Sequence, residues 1–406
     1  MLTIRQALDL LLPNFAPLEA ESVPLLSALG RVLVADLFAR IELPEFDNSA
    51  MDGYAVRHAD LVVGRSLPIA QEIRAGDGSP AALAPGYAAR IFTGAPMPPR
   101  ADTVVMQENA DRDEREVRFR ELPDRNAHVR ARGSDVRIGD RLVQAGRAIG
   151  PGEIGILAAQ GCSRVDVHRR PRVAILPTGD ELRELDEPAR AGSLVNSNAY
   201  ALAAAVQQAG GEAWILPIAR DRLEEITARI EQGLQADLLL TVGGVSVGDY
   251  DFVARALTDV GVALHFHKVT VKPGKPILFG KRANTAVIGL PGNPISALVT
   301  FQLFVQPCLR RLLGHLAPFQ ESIEVVLGRP YRHSPGRTEL VRATLAREAG
   351  ELRATLHQRQ GSASLPSMVG QDALVILPAE RETFAAGERL WALRLAEPGA
   401  TEPPFR

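Results

Sequence analysis

From Arg172 onward the chain alternates short apolar runs with amphipathic stretches, and no other feature restricts its fold as much. RVAIL, WILPI and DLLLTV read as strands, with NAYALAAAVQQAGG, RLEEITARIEQGL and FVARALTDVG as the helices beside them. Further strands fall near VALHF, PILFG and TAVIGL. Strands alternating with helices of this length imply a doubly wound α/β domain with a mainly parallel sheet. ISALVTFQLFVQPCLRRLLG predicts a closing helix, and Gly210 and Gly314 fall where a helix C-terminus favours a left-handed residue.

The texture differs on either side of this block. Before it come short β-like runs broken by Gly, Pro and charged turns: YAVRHADL, LPIAQEI, AARIFTG, DTVVMQE, REVRFREL and HVRARGSD. IRQALDLLL and PLLSALGRVL read as N-terminal helices, and with the segment EIGILAAQG they flank a β-rich insertion as another module. After about residue 320, SIEVVLG, TELVRATLA, ELRATLH, ALVILPA and RLWALRL suggest a small β-sandwich or barrel. The expectation is therefore an α/β multidomain chain. A linker domain would span 1–44 plus 141–170, an inserted β-rich domain 45–140, the α/β domain 171–318 and a barrel domain 319–406.

Composition removes several classes of function. A formal net charge of -2 argues against a general nucleic-acid binder, whose surface would be basic. Cys162 and Cys308 stand alone, without metal-ligand spacing, which fits a reducing compartment, the cytoplasm. MLTIRQALDLLLPNF carries Arg5 and Asp9 and reads as an amphipathic helix rather than a signal peptide. The most apolar later stretch is interrupted by Gln302, Gln306 and Pro307, so no membrane segment is expected.

In an open parallel sheet, ligands bind outside the carboxyl ends of the strands, and the unusual residues of the α/β block fall there. PTGDEL, ARD, GGVSVGDYD and PGNP each follow a strand. The glycines of GGVSVGDYD let backbone N–H groups approach an anion, so Gly243, Gly244, Ser246 and Gly248 form a candidate phosphate cradle. A tight connection is the bland alternative. Glu181, Asp221, Asp249 and Asp251 add carboxylates, and Mg²⁺ suits a few such oxygens together with substrate phosphates. Helix capping is the alternative for each acid singly.

The lysines are unevenly placed. There are four against 42 arginines, and Lys268, Lys272 and Lys275 all fall in HKVTVKPGKP. Lysine meets phosphate oxygens as a compact point charge, which an arginine fork does not imitate. Lys272 and Lys275 bracket a Pro-Gly turn and read as an anion site, against the alternative of a solvated loop.

LPEFDNSAMDGYAV, IFTGAPMPPRADTVVMQE and VRARGSDVRIGD are dense in small and polar residues, but spacing assigns them no role. DNSAMDGYA, IFTGAPMPPRADTVVMQE, RARGSD, LPTGDEL, LVNSNAY, GGVSVGDYD, KPGKP and LPGNP, in this order, resemble the molybdopterin molybdenumtransferase family, the MoeA and gephyrin E-domain type. The resemblance runs from about residue 3 to the C-terminus.

It implies a four-domain protomer with a MogA-like α/β domain, in a homodimer whose cleft is completed by the inserted domain of the other protomer. The reaction implied is conversion of adenylylated molybdopterin and molybdate, with Mg²⁺, into molybdenum cofactor and AMP. Residues carried over are Asp52, Thr93, Arg132, Asp135, Glu181, Asp221, Asp249, Asp251, Lys268, Lys272, Lys275, Pro291 and Pro294. Among them Glu181, Asp221, Asp251, Lys268 and Lys272 are the candidate catalytic residues, and Glu181, Asp249 and Asp251 the candidate metal ligands. QGSASLPSM, with Ser362 and Ser364, resembles the family's QGS segment loosely. Two rival functions remain: an adenylyltransferase acting on free molybdopterin, and a scaffold of the gephyrin kind with a vestigial site.

Overall fold

The computed structural model describes residues 1–244, 252–348 and 350–395. It divides into two compact units, one of Met1–Val34, Gly146–Pro151 and Arg164–Arg406, the other of Ala35–Ala145 and Gly152–Ser163.

The first unit is built on a six-stranded sheet in the order Glu212–Ile215, Arg172–Pro177, Leu238–Val242, Thr285–Leu290, Pro276–Arg282 and Ala263–Lys268. The first four strands are parallel, and the last two pairings are antiparallel. Burial follows the strand period. Val173 and Ile175 enter one core with Leu238, Leu240 and Ile288, while Ala174 and Leu176 enter another with Leu239 and Val287. A sheet buried on both faces needs apolar residues at every position, which is why RVAIL and LLLTV read as unbroken apolar runs. Helices Leu223–Gly233 and Phe252–Asp259 cover one face. Ser197–Gln208, the Pro294–Leu312 segment and the N-terminal helix Ile4–Leu11 cover the other. Thr3 starts that N-terminal helix with a capping box closed by Gln6.

The predicted closing helix is one continuous rod with a wide π turn over Phe301–Val305. Pro307, at the start of the last segment, lacks the N–H that a regular turn would use, and its ring crowds the preceding turn. Gly210 and Gly314 do have the left-handed backbone expected at helix ends, with φ of 91° and 85°. PLLSALGRVL, by contrast, forms only a 3-10 turn over Leu25–Ala28 and then joins extended bridges. Pro24 and Gly30 bound too short a stretch for a stable helix.

The C-terminal strands close into a barrel: Thr338–Glu348, Glu351–Leu356, Ser322–Leu327, Arg389–Arg394 and Ala373–Leu377, the last pairing back with the first. Closure removes the exposed edges that an open sheet would leave. The barrel strand Thr338–Glu348 overhangs at its start, where Thr338 and Glu339 pair in parallel with Val271 and Lys272.

The second unit carries its own six-stranded sheet, in the order Thr103–Met106, Gly53–Val56, Ala88–Ile91, Ser66–Ile73, Glu116–Phe119 and Ala110–Arg112. Separate apolar clusters line its two faces, one around Tyr54, Val105 and Phe119, the other around Ile73, Ile91 and Val104. Among the described residues, no helix is long and apolar enough to cross a membrane.

Candidate active site

A cavity of about 460 Å³ opens at the carboxyl edge of the first unit's sheet. It lies between Pro177 and Thr178 at the end of one strand, Val242 and Gly243 at the end of the next, and Gly292, Asn293 and Pro294 after a third. Leu182, Leu194, Val195, Ala363 and Leu365 give it apolar walls, while Asn196, Ser197 and Asn198 add polar ones. Apolar walls with a few convergent polar groups suit a flat heteroaromatic ligand of moderate size.

Backbone geometry shapes the floor. Gly243 has φ of 93°, and a Cβ there would stand 2.9 Å from the Thr178 carbonyl oxygen, so only glycine lets the two strand ends approach. Gly179 has φ of 142°, and the Glu181 carboxylate folds over the space its missing side chain leaves. Glu181 is exposed and lines the cavity. Its carboxylate makes no hydrogen bond to a described residue. Such an oxygen donor, open to solvent, fits a hard cation that keeps most of its waters. Among the described residues no group of three or more His, Cys, Asp and Glu forms a complete metal cage.

Asp221 is outside the cavity wall. It exchanges backbone hydrogen bonds with Asp180, Asp180 N–H to Asp221 Oδ2 at 3.4 Å and Asp221 N–H to Asp180 Oδ1 at 3.2 Å. Arg220, unmarked in the sequence reading, donates to the carbonyls of Gly179, Asp180 and Leu182 at 3.3, 3.2 and 2.7 Å and pins the TGDEL turn. Ser246, Gly248, Asp249 and Asp251 lie outside the described residues; Gly244 is the last described residue before them.

Strand direction brings the lysine loop to the same edge. Ala263–Lys268 is antiparallel to Pro276–Arg282, itself antiparallel to Thr285–Leu290, so Lys268 ends its strand where Leu290 ends its own. The loop is closed by Val269 N–H donating to the Lys275 carbonyl at 3.1 Å. Lys275 is exposed and Lys268 half-buried. Lys272 differs from the expected free projection: its Nζ lies 3.1 Å from Oε1 of the buried Glu339 on the barrel. Pro291 is buried beneath the cavity edge, and Pro294 begins the helix after Asn293.

The segment with the loosest family match turns out to stand at the cavity. Ser362 offers its carbonyl to Ile295 N–H at 3.0 Å, and Ala363 and Leu365 face the ligand space, while Ser364 does not. Asn196 and Asn198 had been quoted only within LVNSNAY. Asn198 Nδ2 donates to the Gly292 carbonyl at 2.6 Å. Asn196 is 1% exposed and its Nδ2 has no hydrogen-bond partner. A small polar residue opening a helix beside a strand end is the signal that marks both.

The second unit holds the remaining candidates in two clusters joined through the short strand Asn48–Ser49. Asp52 Oδ1 accepts from Thr93 N–H and from Thr93 Oγ1, each at 2.8 Å. The Thr93 backbone N–H and then its hydroxyl hold the Asp52 carboxyl below the usual carboxylate range. Arg132 N–H donates to Asp47 Oδ1 at 2.7 Å, and its Nε is ion-paired with Glu42. Asp135 N–H bonds the Leu43 carbonyl at 2.9 Å. Glu42 and Asp47 went unmarked because their partners lie far along the chain.

Comparison with known proteins agrees with this architecture over the whole chain. Residues 2–161 match the MoeA N-terminal region (domain I and II), 174–311 a probable molybdopterin binding domain, and 324–393 the MoeA C-terminal region (domain IV). A molybdopterin molybdenumtransferase from Nostoc sp. is 38% identical over 93% of this chain and 89% of its own length. One from Haemophilus influenzae is 36% identical over 96% and 97%. The crystal structure of a molybdopterin biosynthesis MoeA protein from Pyrococcus horikoshii superposes with a TM-score of 0.83 at 28% identity, over 97% of this chain and 100% of that one. The chain belongs to the MoeA family of molybdenum cofactor biosynthesis.

Proposed function

We propose that this protein is a transferase that inserts molybdenum into a molybdopterin-related substrate, taking molybdate and adenylylated molybdopterin to molybdenum cofactor and AMP. The observation that carries the reading is the carboxyl-edge cavity, whose wall is made by the LPTGDEL, LVNSNAY, GG, PGNP and QGS segments together. Relatives named molybdopterin molybdenumtransferase support it.

The chemistry follows from the groups at hand. Thr178, Asn196 and Asn198 orient a flat polar ring between the apolar walls. Lys272 and Lys275 neutralise the bridging phosphates at the neighbouring strand end, and fixed charges there lower the cost of the charge that develops as P–O–P cleaves. Lys268, Arg132 and Thr93 are the groups suited to molybdate, a tetrahedral dianion. Glu181 is the described residue that would hold Mg²⁺, with Asp249 and Asp251 beyond the described stretch. When bound, the ion would offset phosphate charge and polarise the P–O bond. The dithiolene sulfurs belong to the substrate, so no protein thiolate is required. The complete cleft is proposed to form in a cytoplasmic homodimer, with the second unit of one protomer serving the partner.

Purified protein given adenylylated molybdopterin, Mg²⁺ and molybdate should release AMP and yield a cofactor that reconstitutes a molybdenum-free apoenzyme. Formation of adenylylated pterin from molybdopterin and ATP, with no need for molybdate, would instead identify an adenylyltransferase. A double K272A/E181Q variant that still formed cofactor would overturn the roles given to these two residues, whereas a wild-type protein that formed none would make the site vestigial.

A further inference from the structure

Glu339 is a carboxylate that the fold buries, at 3% exposure, where the barrel strand Thr338–Glu348 begins. A buried carboxylate is costly unless cations and donors surround it. Oε1 faces Lys272 Nζ and Oε2 faces His333 Nδ1, each at 3.1 Å, and the His333 side chain is fully buried. The fully buried Arg342 and the half-buried Tyr331 complete the charged and polar surroundings. Nothing in the assigned motifs includes Glu339 or His333.

The other ring nitrogen decides how His333 is protonated. Nε2 lies 2.6 Å from the Arg381 carbonyl oxygen, which only accepts, so Nε2 carries a proton. Nδ1 and Oε2 meet off the axis of a straight hydrogen bond and have no other partner, which makes their approach an ion-pair contact. A bare Nδ1 would set a partly negative nitrogen 3.1 Å from a carboxylate oxygen in a buried site. A second ring proton turns that repulsion into attraction. Phe384 packs against the ring with centroids 5.6 Å apart. The nearby acids Glu382 and Glu388 are paired with Arg332 and Arg381, which leaves Glu339 as the acid facing the imidazole.

We propose that His333 is doubly protonated and, through Glu339, is a positioning residue for Lys272. The buried carboxylate fixes the ammonium at the lysine loop, and the imidazolium shares the carboxylate's charge, so that Lys272 keeps a net positive field for an anionic ligand. With the Arg342 guanidinium counted, imidazolium, carboxylate and ammonium sum to two positive charges, whereas a neutral ring leaves one. The inference rests on the reading of the lysine loop as a phosphate site.

The test uses the intact protein and two readouts. Long-range ¹H–¹⁵N NMR of the labelled histidines near neutral pH should show both His333 nitrogens protonated, a measurement that needs no functional variant at this position. Calorimetric titration with inorganic pyrophosphate should show saturable binding to the wild-type protein. In H333Q the affinity should be roughly tenfold lower, the effect of one partly screened charge several ångströms away. A His333 ring with a bare Nδ1, or an H333Q protein that keeps the wild-type affinity, overturns the proposal. If K272A also leaves pyrophosphate affinity unchanged while His333 is doubly protonated, the phosphate reading of the loop fails and the His333–Glu339 pairing stands.

Discussion

Gly243 and Glu181 face the same cavity but answer to different constraints. At Gly243 the backbone is left-handed and the Thr178 carbonyl fills the space a methyl group would need. Gly243→Ala should therefore cost about 2 kcal/mol of stability, from backbone strain plus displacement of the neighbouring strand end, read by urea denaturation. Glu181 has no structural partner among the described residues. Glu181→Gln should leave the unfolding midpoint within about 0.5 kcal/mol of wild type. Its single-turnover AMP release should fall roughly 100-fold, the scale of losing one charged group aimed at a transition state. A variant equally impaired in stability and turnover would mark Glu181 as part of the framework instead.

At the scale of elements, the strand Leu238–Val242 is anchored by the residue before it. Asp237 receives both nitrogens of the Arg169 fork at 2.7 Å and Arg172 N–H at 2.7 Å. Burial raises the Asp237 carboxyl, but the Arg169 fork and the Arg172 N–H outweigh it and hold the group below its ordinary value. A carboxyl depressed in the folded state contributes stability that is present above its unfolded pKa and lost as pH falls through the folded one. Asp237→Asn should thus destabilise by about 2 kcal/mol at neutral pH, with the gap to wild type closing under acid, as urea curves across that range would record. His315 acts in the same direction, although it is a base. Burial and then Arg310 lower it to about 4, so its neutral form supports the fold and stability declines as pH drops from about 6.5 toward 4. His315→Gln should remove that part of the acid slope.

Elements were legible wherever both faces of a strand are buried, since Val173 to Leu176 and Leu238 to Val242 then read as apolar runs with no other use in a folded chain. PLLSALGRVL was misread because its apolar spacing suits a helix, while Pro24 and Gly30 leave room for one 3-10 turn only. The cavity could be anticipated from strand ends alone. The Lys272–Glu339–His333 contact could not, because it joins the lysine loop to barrel residues distant in sequence, and neither Glu339 nor His333 stands in a motif. The pairing of Arg132 with Glu42 was hidden for the same reason.

For the whole molecule, the proposed homodimer makes a plain expectation. Sedimentation equilibrium should return twice the 43.7 kDa chain mass at micromolar concentration, and a monomer at that concentration would leave the second unit's Asp52–Thr93 and Arg132 clusters without the cleft assigned to them. The lysine loop is also clasped by two ends of the chain at once. Leu2 N–H donates to the Lys268 carbonyl and Leu2 bridges Val269, while Thr338 N–H donates to the Thr270 carbonyl beside the Val271–Lys272 ladder. A ribosome makes the first of these partners before the α/β sheet and the other only after the entire sheet has emerged. The lysine loop thus receives its second clasp only after the sheet beside it, and a polypeptide truncated before Thr338 would carry a charged loop that had never been set.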